Sequence, residues 1–271
     1  MQSFNIGDIK ITVITDGRFW IDGGAIFGIV PKVMWERLIP PDEKNRIPLA
    51  LNLAVIEADG RRVLVDAGVG TKLTEKQSKI YKPQDVKGVE ARLAGADIDP
   101  KSIDTVIFTH LHFDHMGGAT ALDGGEVEAV LPNARFVVQE KEWHDAQNCD
   151  EVTRGGYFDT SFDALEKSGR LELIDGDYEA APGVVCRVTG GHTRAHQVVL
   201  LESKGEKGIH FGDLIPTTAH LKPAFVMALD LFPQEVLAEK KRFLEQAQRE
   251  HWLCIFNHDC DRPVLKLGEG E

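Results

Sequence analysis

The sequence predicts an α/β domain built from layers of strands and helices. Strand patterns recur along the whole chain, and helical patterns lie between them, which is typical of this fold class. A length of 271 residues suits one large domain, and the sequence contains no internal repeat, low-complexity tract or obvious linker. We therefore interpret residues 1–271 as a single domain.

The predicted strands show either alternation of polar and apolar residues or short runs rich in β-branched residues. Residues 49–68, LALNLAVIEADGRRVLVDAG, read as a hairpin with Asp59-Gly60 as its turn. The other predicted strands are residues 8–17, 104–110, 134–139, 184–191, 197–203, 208–213 and 252–259.

Helices are predicted between these strands, at residues 86–96, 140–147, 161–169 and 233–250. The last has Pro233 near its start, where the backbone N–H that proline lacks would have no partner within the helix. It also has acidic residues in its first half. Residues 18–48 differ from the rest of the chain. They are too apolar for a solvated loop and too interrupted by Gly and Pro for one regular element, so we expect a loop that covers the substrate.

The charge and composition narrow the function classes. A formal net charge of −12 repels phosphate backbones and anionic lipid, so neither nucleic acid nor a membrane is expected as a partner. This field suits a neutral or cationic small molecule, although a local basic patch could override the average. No apolar run approaches the roughly 18 residues that span a bilayer, and the first ten residues do not resemble a signal peptide. The chain has 4 cysteines without CxxC spacing, which favours reduced thiols and a cytoplasmic location.

The segment THLHFDHMGG, residues 109–118, places His110, His112, Asp114 and His115 within six consecutive positions. It follows the strand-like VIFT, so the end of a strand and a tight loop would present these side chains together. Further candidates occur where other predicted strands end, a position at which α/β sheets present functional groups. Imidazole and carboxylate ligands suit Zn, Mn, Fe or Co. These downstream candidates are His192, Asp213 and His258.

The strings THLHFDH, GGHTRAH, FGDL and FNHD, in this order, resemble the motifs of the metallo-β-lactamase superfamily, and VLVDAG (63–68) is similar to its first motif. The segments DGGAIFGIVPK (22–32), LTEKQ (73–77) and DLIPTTAH (213–220) are similar to YtnP-type quorum-quenching lactonases within it. The resemblance implies a four-layer αβ/βα sandwich with two divalent ions at one edge, zinc first and Mn, Fe or Co as alternatives. It implies that His110, His112 and His192 hold the first ion, that Asp114, His115 and His258 hold the second, and that Asp213 bridges them.

This ligand set predicts a hydrolase that acts on a small neutral lactone or ester. Two divalent ions roughly 3.5–4 Å apart lower the pKa of a shared water, so a bridging hydroxide can attack the carbonyl carbon. Asp114 is expected to pass the proton to the leaving alkoxide, and Asp66 to orient a ligand histidine. For His196 two interpretations stay open, a contact behind a ligand or a packed core histidine.

The expected substrate contacts form an apolar wall that would receive an acyl chain. The same residues could instead pack on the sheet edge or form the contact of a homodimer. The residues concerned are Phe19, Trp20, Ile26 and Phe27, with His220 as a candidate contact for the carbonyl.

The leading hypothesis is the opening of N-acyl homoserine lactones, and two alternatives remain. Well-studied lactonases of the superfamily carry a tyrosine three residues after the bridging aspartate, where this chain has Pro216. This favours, as the first alternative, a phosphotriesterase or arylesterase resembling methyl parathion hydrolase. An iron-dependent oxygen- or sulfur-handling protein is the second, although diiron members of the superfamily carry a glutamate at the position of His112.

Overall fold

The computed structural model describes residues 1–157 and 161–268. Two β-sheets pack face to face, and helices cover the outer face of each, which confirms the four-layer αβ/βα sandwich. The strands are β1 Gln2–Ile6, β2 Ile9–Asp22, β3 Arg46–Ala58, β4 Arg61–Val65, β5 Thr105–Ile107, β6 Thr120–Asp123, β7 Glu126–Ala129, β8 Arg135–Gln139, β9 Leu171–Ile174, β10 Tyr178–Ala181, β11 Val184–Val188, β12 Gln197–Ser203, β13 Glu206–His210, β14 Leu253–Ile255 and β15 Val264–Lys266.

The α-helices differ greatly in length, and among the described residues only the last exceeds three turns. They are α1 Gly23–Phe27, α2 Lys32–Trp35, α3 Glu75–Tyr81, α4 Val89–Ala94, α5 Phe113–Met116, α6 Glu140–Gln147, α7 Ser161–Lys167 and α8 Pro233–Arg249. No helix within the described ranges combines the length and the apolar character that a membrane span requires.

The first sheet has the strand order β1-β2-β3-β4-β5-β8-β9, and the second has the order β10-β11-β12-β13-β14-β15. Strands β4, β5, β8 and β9 run parallel, as do β13 and β14, and the other neighbours are antiparallel. Because parallel strands end at the same edge, the loops after β4, β5 and β8 lie together. Strands β6 and β7 form a separate hairpin.

Successive side chains of a strand fill the apolar cores on the two faces of its sheet. In β4, Val63 and Val65 are buried between the two sheets, whereas Leu64 is buried on the opposite face among residues of α4 and α7. Successive side chains of a strand point to opposite faces, so one apolar run fills two cores. Full burial of each such side chain stabilises the fold by about 1.5–3 kcal/mol relative to exposure.

Helix α8 covers the outer face of the second sheet with a stripe of buried residues at helical spacing. Val236, Phe243 and Ala247 pack there against strands β12 to β14. Lys240 belongs to the same buried stripe, and its Nζ donates to the carbonyl oxygen of Phe225 at 2.6 Å. Burial lowers the pKa of this lysine to about 8. A buried lysine therefore ties α8 to the segment that precedes it.

The prediction of a loop over residues 18–48 needs correction. Residues 18–22 continue β2 and residues 46–48 begin β3, while α1 and α2 occupy part of the span between them. The register of β2 against β3 shifts between Thr15 and Arg18, so a bulge interrupts the alternation of polar and apolar residues there. Gly17, with a φ of 75°, lies in this bulge, and the strand continues past the apparent turn signal.

Candidate metal centre

The histidines and aspartates predicted as ligands lie in the segments that follow strands β5, β11, β13 and β14 at one edge of the sandwich. His110 follows β5, His192 follows β11, and His258 follows β14. Asp213 lies in the 3-10 turn Gly212–Leu214 after β13, and Asp114 lies in α5. These side chains are buried or nearly so, which places a group of polar atoms in a mostly apolar interior. The structure brings together the seven predicted ligands, which are His110, His112, Asp114, His115, His192, Asp213 and His258.

The first group consists of His110, His112 and His192, whose ligating atoms lie within 4.8 Å of one another. Nδ1 of His112 is 3.0 Å from Nε2 of His110 and 3.0 Å from Nε2 of His192. The second group consists of Asp114, His115 and His258. A third set, His110, His115 and Asp213, combines residues of both groups, so the assignment of ligands to separate ions stays a prediction.

Asp213 lies between the two groups. Its Oδ1 is 3.1 Å from Nε2 of His258 and 3.4 Å from Nε2 of His115. Its Oδ2 is 3.4 Å from Nε2 of His192 in the first group. One carboxylate thus presents one oxygen to each group, which is the arrangement that a bridging ligand requires.

The imidazole nitrogens fit a divalent cation. Nδ1 of His258 donates to the carbonyl oxygen of Ala50 at 2.8 Å, and Nδ1 of His115 donates to Asp66 at 2.9 Å. Each ring therefore turns its Nε2 inward, and the two Nε2 atoms are 3.2 Å apart. At this distance a positive centre, either a proton or a metal ion, must lie between the two nitrogens. Tetrahedral zinc with Zn–N bonds of about 2.0–2.1 Å separates two nitrogens by about 3.3 Å, close to the observed distance.

The ionisable side chains of the site also favour a bound cation. Burial and the neighbouring histidines hold the pKa values of His110 and His112 well below the ordinary value, so these rings stay neutral. Burial would raise the pKa of Asp213, but the surrounding histidines, His258 first, hold it well below its usual range. Burial opposes protonation of His115, His192 and His258, but the charges of the nearby carboxylates, Asp213 first, together outweigh it and raise their pKa values. Imidazole nitrogens around negative carboxylates are the donor set that zinc and similar ions prefer.

Asp66 lies behind the second group, as the sequence predicted. Its Oδ2 accepts the Nδ1 proton of His115, and its Oδ1 accepts from the backbone N–H of Thr109, next to His110. A carboxylate in this position fixes the orientation of a ligating imidazole and makes it a stronger donor. The end of β4 therefore orients a loop that follows β5.

Asp230 holds His192 in the same way, and sequence reasoning missed it. Its Oδ1 accepts the Nδ1 proton of His192 at 2.8 Å, while its Oδ2 accepts from the backbone N–H of Met227. The segment that carries Asp230 is the one that Lys240 ties to α8 through Phe225. Nothing in the local sequence around Asp230 connects it with a histidine 38 residues earlier.

Glu142 is a second functional residue that sequence reasoning missed. This carboxylate of α6 is buried, and it accepts hydrogen bonds from the backbone N–H of Leu111 at 3.0 Å and from the Thr193 hydroxyl at 2.6 Å. Leu111 lies between His110 and His112, and Thr193 follows His192. Burial raises the pKa of Glu142, and these donors only partly offset the effect. One side chain thus positions both loops that form the first group.

Replacing Glu142 with glutamine is expected to weaken metal binding without unfolding the protein. Glutamine keeps the size, but its NH₂ group would face donors, so at least one of these hydrogen bonds is lost. The apparent metal affinity should fall by about 10–100-fold. The free energy of unfolding should fall by about 1–3 kcal/mol. Competition with a chelator and urea titration measure the two effects.

The control for this prediction is Glu140→Gln, on the same helix but exposed. It should change neither quantity appreciably. Equal metal affinities in Glu142→Gln and in Glu140→Gln would contradict the role of Glu142.

His196 contacts the backbone of Asp213, a predicted ligand. This contact corresponds to the first of its two interpretations, a position behind a ligand. Its Nε2 accepts from the backbone N–H of Asp213 at 3.0 Å, and its Nδ1 is 2.8 Å from the hydroxyl of Thr189. Because Nε2 accepts, the proton lies on Nδ1 and is donated to the Thr189 hydroxyl. His196 therefore fixes the backbone that carries the bridging aspartate.

The residues predicted to contact substrate lie in a buried cluster beside the metal centre. Phe19, Ile26 and Phe27 are almost fully buried there. The ring of Phe27 stacks between Trp35 and His220, with centroids 5.0 and 4.9 Å away. Both ring nitrogens of His220 have protein partners, the Thr217 hydroxyl and the Ile26 carbonyl oxygen. Trp20 is half-buried, with Lys82 Nζ 4.5 Å above its ring. A contact of these side chains with substrate stays a prediction.

Two tyrosines lie close to the site, although neither occupies the position of Pro216. The ring of Tyr157 lies 4.9 Å from that of His112, and its hydroxyl donates to Glu142. Tyr81 packs on Phe113, and burial together with the nearby charge of Asp114 raises its pKa. Both phenols remain protonated and so can donate a hydrogen bond.

A cleft of about 820 Å³ lies beside His258, which forms part of its wall. Part of its wall is apolar, and residues 37–40 and 48, from the segment predicted to cover the substrate, contribute to it. The apolar wall includes Leu38, Ile39, Pro40, Leu221, Pro223 and Leu265. Arg194 is not among the residues that line this cleft, and its Nε pairs with Asp145 at 2.9 Å.

Comparisons with known proteins agree with this geometry. Residues 47–258 match the family model described as the metallo-beta-lactamase superfamily. A crystal structure of a probable metal-dependent hydrolase from Staphylococcus aureus is 34% identical to this chain, with a TM-score of 0.92, and the match covers 99% of this chain and 96% of that one.

More distant matches carry lactonase names. An N-acyl homoserine lactonase from a Bacillus species is 30% identical over 169 residues, which cover 60% of this chain and 59% of that relative. The match thus spans less than two thirds of the curated relative's length. The structure of AidC, described as a dizinc quorum-quenching lactonase in complex with a product, is 18% identical, with a TM-score of 0.78, and the match covers 98% of this chain and 92% of that one.

Proposed function

The chain belongs to the metallo-β-lactamase superfamily, and from this premise we propose that it is a two-metal hydrolase that opens lactone rings, with N-acyl homoserine lactones as the substrate class. The observation that carries the proposal is the position of Asp213 between two groups of inward-facing histidine nitrogens. When bound, two divalent ions would supply Lewis acidity and an activated water. Zinc suits these ligands best, and Mn, Fe or Co would also fit them.

The residues of the chain divide the remaining work. Glu142, Asp66 and Asp230 keep the imidazoles oriented, so little reorganisation is needed when substrate binds. Asp114 is the carboxylate of the second group, with its Oδ2 3.5 Å from Nε2 of His258. We assign to it the uptake of a proton at a carboxylate oxygen and the return of that proton to the departing alkoxide, which is general acid–base catalysis.

The apolar wall of the cleft supports a substrate with an acyl chain. A volume of about 820 Å³ falls within the range of about 300–1,000 Å³ typical of small-molecule sites. The names of the lactonase relatives support the lactone as the reacting group. One observation favours a second candidate, a phosphotriesterase or arylesterase: Pro216 stands at the position where lactonases have a tyrosine, and its carbonyl oxygen accepts from the backbone of His258 instead.

The proposed function predicts selective turnover in a substrate panel. Protein reconstituted with Zn, Mn or Co should open homoserine lactones faster than γ-lactones, paraoxon or an aryl ester. His112→Ala should lose this activity, whereas exposed His144→Ala should keep it. Faster turnover of paraoxon or of the aryl ester than of any lactone would reject the lactonase assignment. Intact lactones at full metal occupancy would reject it as well.

A further inference from the structure

Basic side chains line the cleft whose wall includes His258, in a protein whose formal net charge is −12. Three of them come from parts of the chain that are distant in sequence, namely β2, the segment after α2 and the segment before α8. The fourth lies four residues after His258. These residues are Arg18, Arg37, Lys222 and Arg262.

None of these four side chains forms an ion pair within residues 1–157 and 161–268. Arg18 donates to the amide oxygen of Gln84, and Lys222 lies 5.2 Å above the ring of Phe225, but neither partner carries a charge. Cations elsewhere on the surface are commonly paired, as Lys10 is with Glu57 and Arg135 with Glu172. In a chain with 43 acidic and 31 basic residues, unpaired cations that collect at one cleft leave a local excess of positive charge.

The acidic side chains of the cleft do not cancel this excess. Two of them, Asp259 and Asp261, line it against the four basic residues. Asp259 is turned inward, where it accepts from the backbone N–H and hydroxyl of Thr218 and from the backbone N–H groups of Asp261 and Arg262. The cleft therefore carries a formal charge of about +2 before any metal ion is added.

We propose that the lactone substrate carries an anionic group, a carboxylate or a phosphate, on the part of its substituent that is remote from the ring. This inference rests on the proposed function, because it assigns the ring to the metal centre and the anion to the basic residues of the cleft. The apolar wall then holds the chain between the two ends. The reacting ester stays neutral, whereas the substrate as a whole is negative. The basic residues of the cleft therefore have to overcome repulsion by the net negative charge of the protein.

The test uses the zinc-loaded full-length protein and three homoserine lactones of equal acyl length. One ends in a carboxylate, one in the corresponding methyl ester and one in a phosphate. The carboxylate or the phosphate compound should exceed the methyl ester in kcat/KM by about tenfold at low salt. Added salt screens the charges and should reduce the ratio of kcat/KM for the anionic compounds to that for the methyl ester. Comparison of the carboxylate compound with the phosphate compound shows which anion the cleft prefers.

A double variant, Arg37→Gln with Lys222→Gln, should reduce the ratio of anionic to neutral kcat/KM by about 3- to 10-fold, as expected for the loss of two exposed charge interactions. Lys241→Gln, an exposed lysine of α8 outside the cleft, is the control and should leave the ratio unchanged. An equal or higher kcat/KM for the methyl ester would overturn the inference and leave the proposed function intact.

Calorimetric binding of the ring-opened acids separates the two proposals further. Tighter binding of the acid with the extra anion, lost in the double variant, would support the anionic subsite even if the lactones are not hydrolysed. Equal binding of the acids with and without that anion would overturn it. Absence of hydrolysis alone therefore counts against the proposed function and not against the subsite.

Discussion

Replacing Asp213 with alanine is expected to reduce lactone kcat/KM by at least about 10³-fold and to lower the bound metal to below one ion per chain. The reason is its position, since its oxygens approach His258 and His115 on one side and His192 on the other. Removal of a group that only orients a ligand costs about 10–100-fold in metal affinity or activity, and loss of a bridging ligand should exceed this range. A 10³-fold loss corresponds to about 4 kcal/mol of transition-state stabilisation.

Elemental analysis after dialysis and steady-state kinetics measure the two effects of Asp213→Ala. The matched control is Asp123→Ala, which removes an exposed carboxylate from the β6–β7 hairpin. Two ions per chain in Asp213→Ala, with activity near that of the control, would show that Asp213 does not bridge.

Replacing Asp114 with asparagine is expected to reduce kcat by about 10²–10⁴-fold, the usual contribution of a positioned general acid or base. Asparagine has nearly the same shape and can still offer an oxygen to a metal ion, but it cannot carry the proton to the leaving alkoxide. KM should change much less than kcat, because the apolar and basic residues of the cleft remain. The measurement is steady-state kinetics on protein whose metal content has been determined.

A lactone with a better leaving group makes this test sharper. A leaving alkoxide of lower pKa needs less protonation, so a thiolactone or an activated ester should recover part of the lost rate in Asp114→Asn. Asp123→Asn should behave as the unmodified protein does. A kcat within about threefold of the unmodified protein at full metal occupancy would remove Asp114 from the proton-transfer role.

The regular elements with a clear local pattern could be predicted from the sequence. The strand predicted at 197–203 and the helix predicted at 140–147 coincide with β12 and α6. The helix predicted at 233–250 ends one residue later than α8, and the hairpin around Asp59-Gly60 is present. Helix α8 repeats its buried residues at helical spacing, whereas β12 is a short apolar run bounded by polar residues.

Other elements were missed because their local signals are weak or misleading. The β6–β7 hairpin turns at Gly124-Gly125, but its strands carry few buried residues and so lack the usual alternation. Short α1 and α2 owe their form to burial of Phe27 and Trp35 against each other, which depends on tertiary packing. The bulge in β2 resembled a turn, so the strand appeared to end at Gly17.

The clustering of the candidate ligands could be predicted because four of them share one short string and the others recur at strand ends. The residues that position them could not. Glu142 reaches Leu111 and Thr193, and Asp230 reaches His192, through contacts that only the folded chain creates. The average charge likewise suggested a neutral or cationic ligand, whereas the fold collects Arg18, Arg37, Lys222 and Arg262 at the cleft. Average charge carries no information about where the fold concentrates its cations.

The central claim is that two divalent ions lie between these histidines and aspartates. A crystal of the zinc-loaded protein, with anomalous diffraction recorded at the zinc edge, tests it most directly. Two peaks are expected about 3.5–4 Å apart, one beside His110, His112 and His192, the other beside Asp114, His115 and His258, with Asp213 between them. A single peak, or peaks away from these residues, would contradict it.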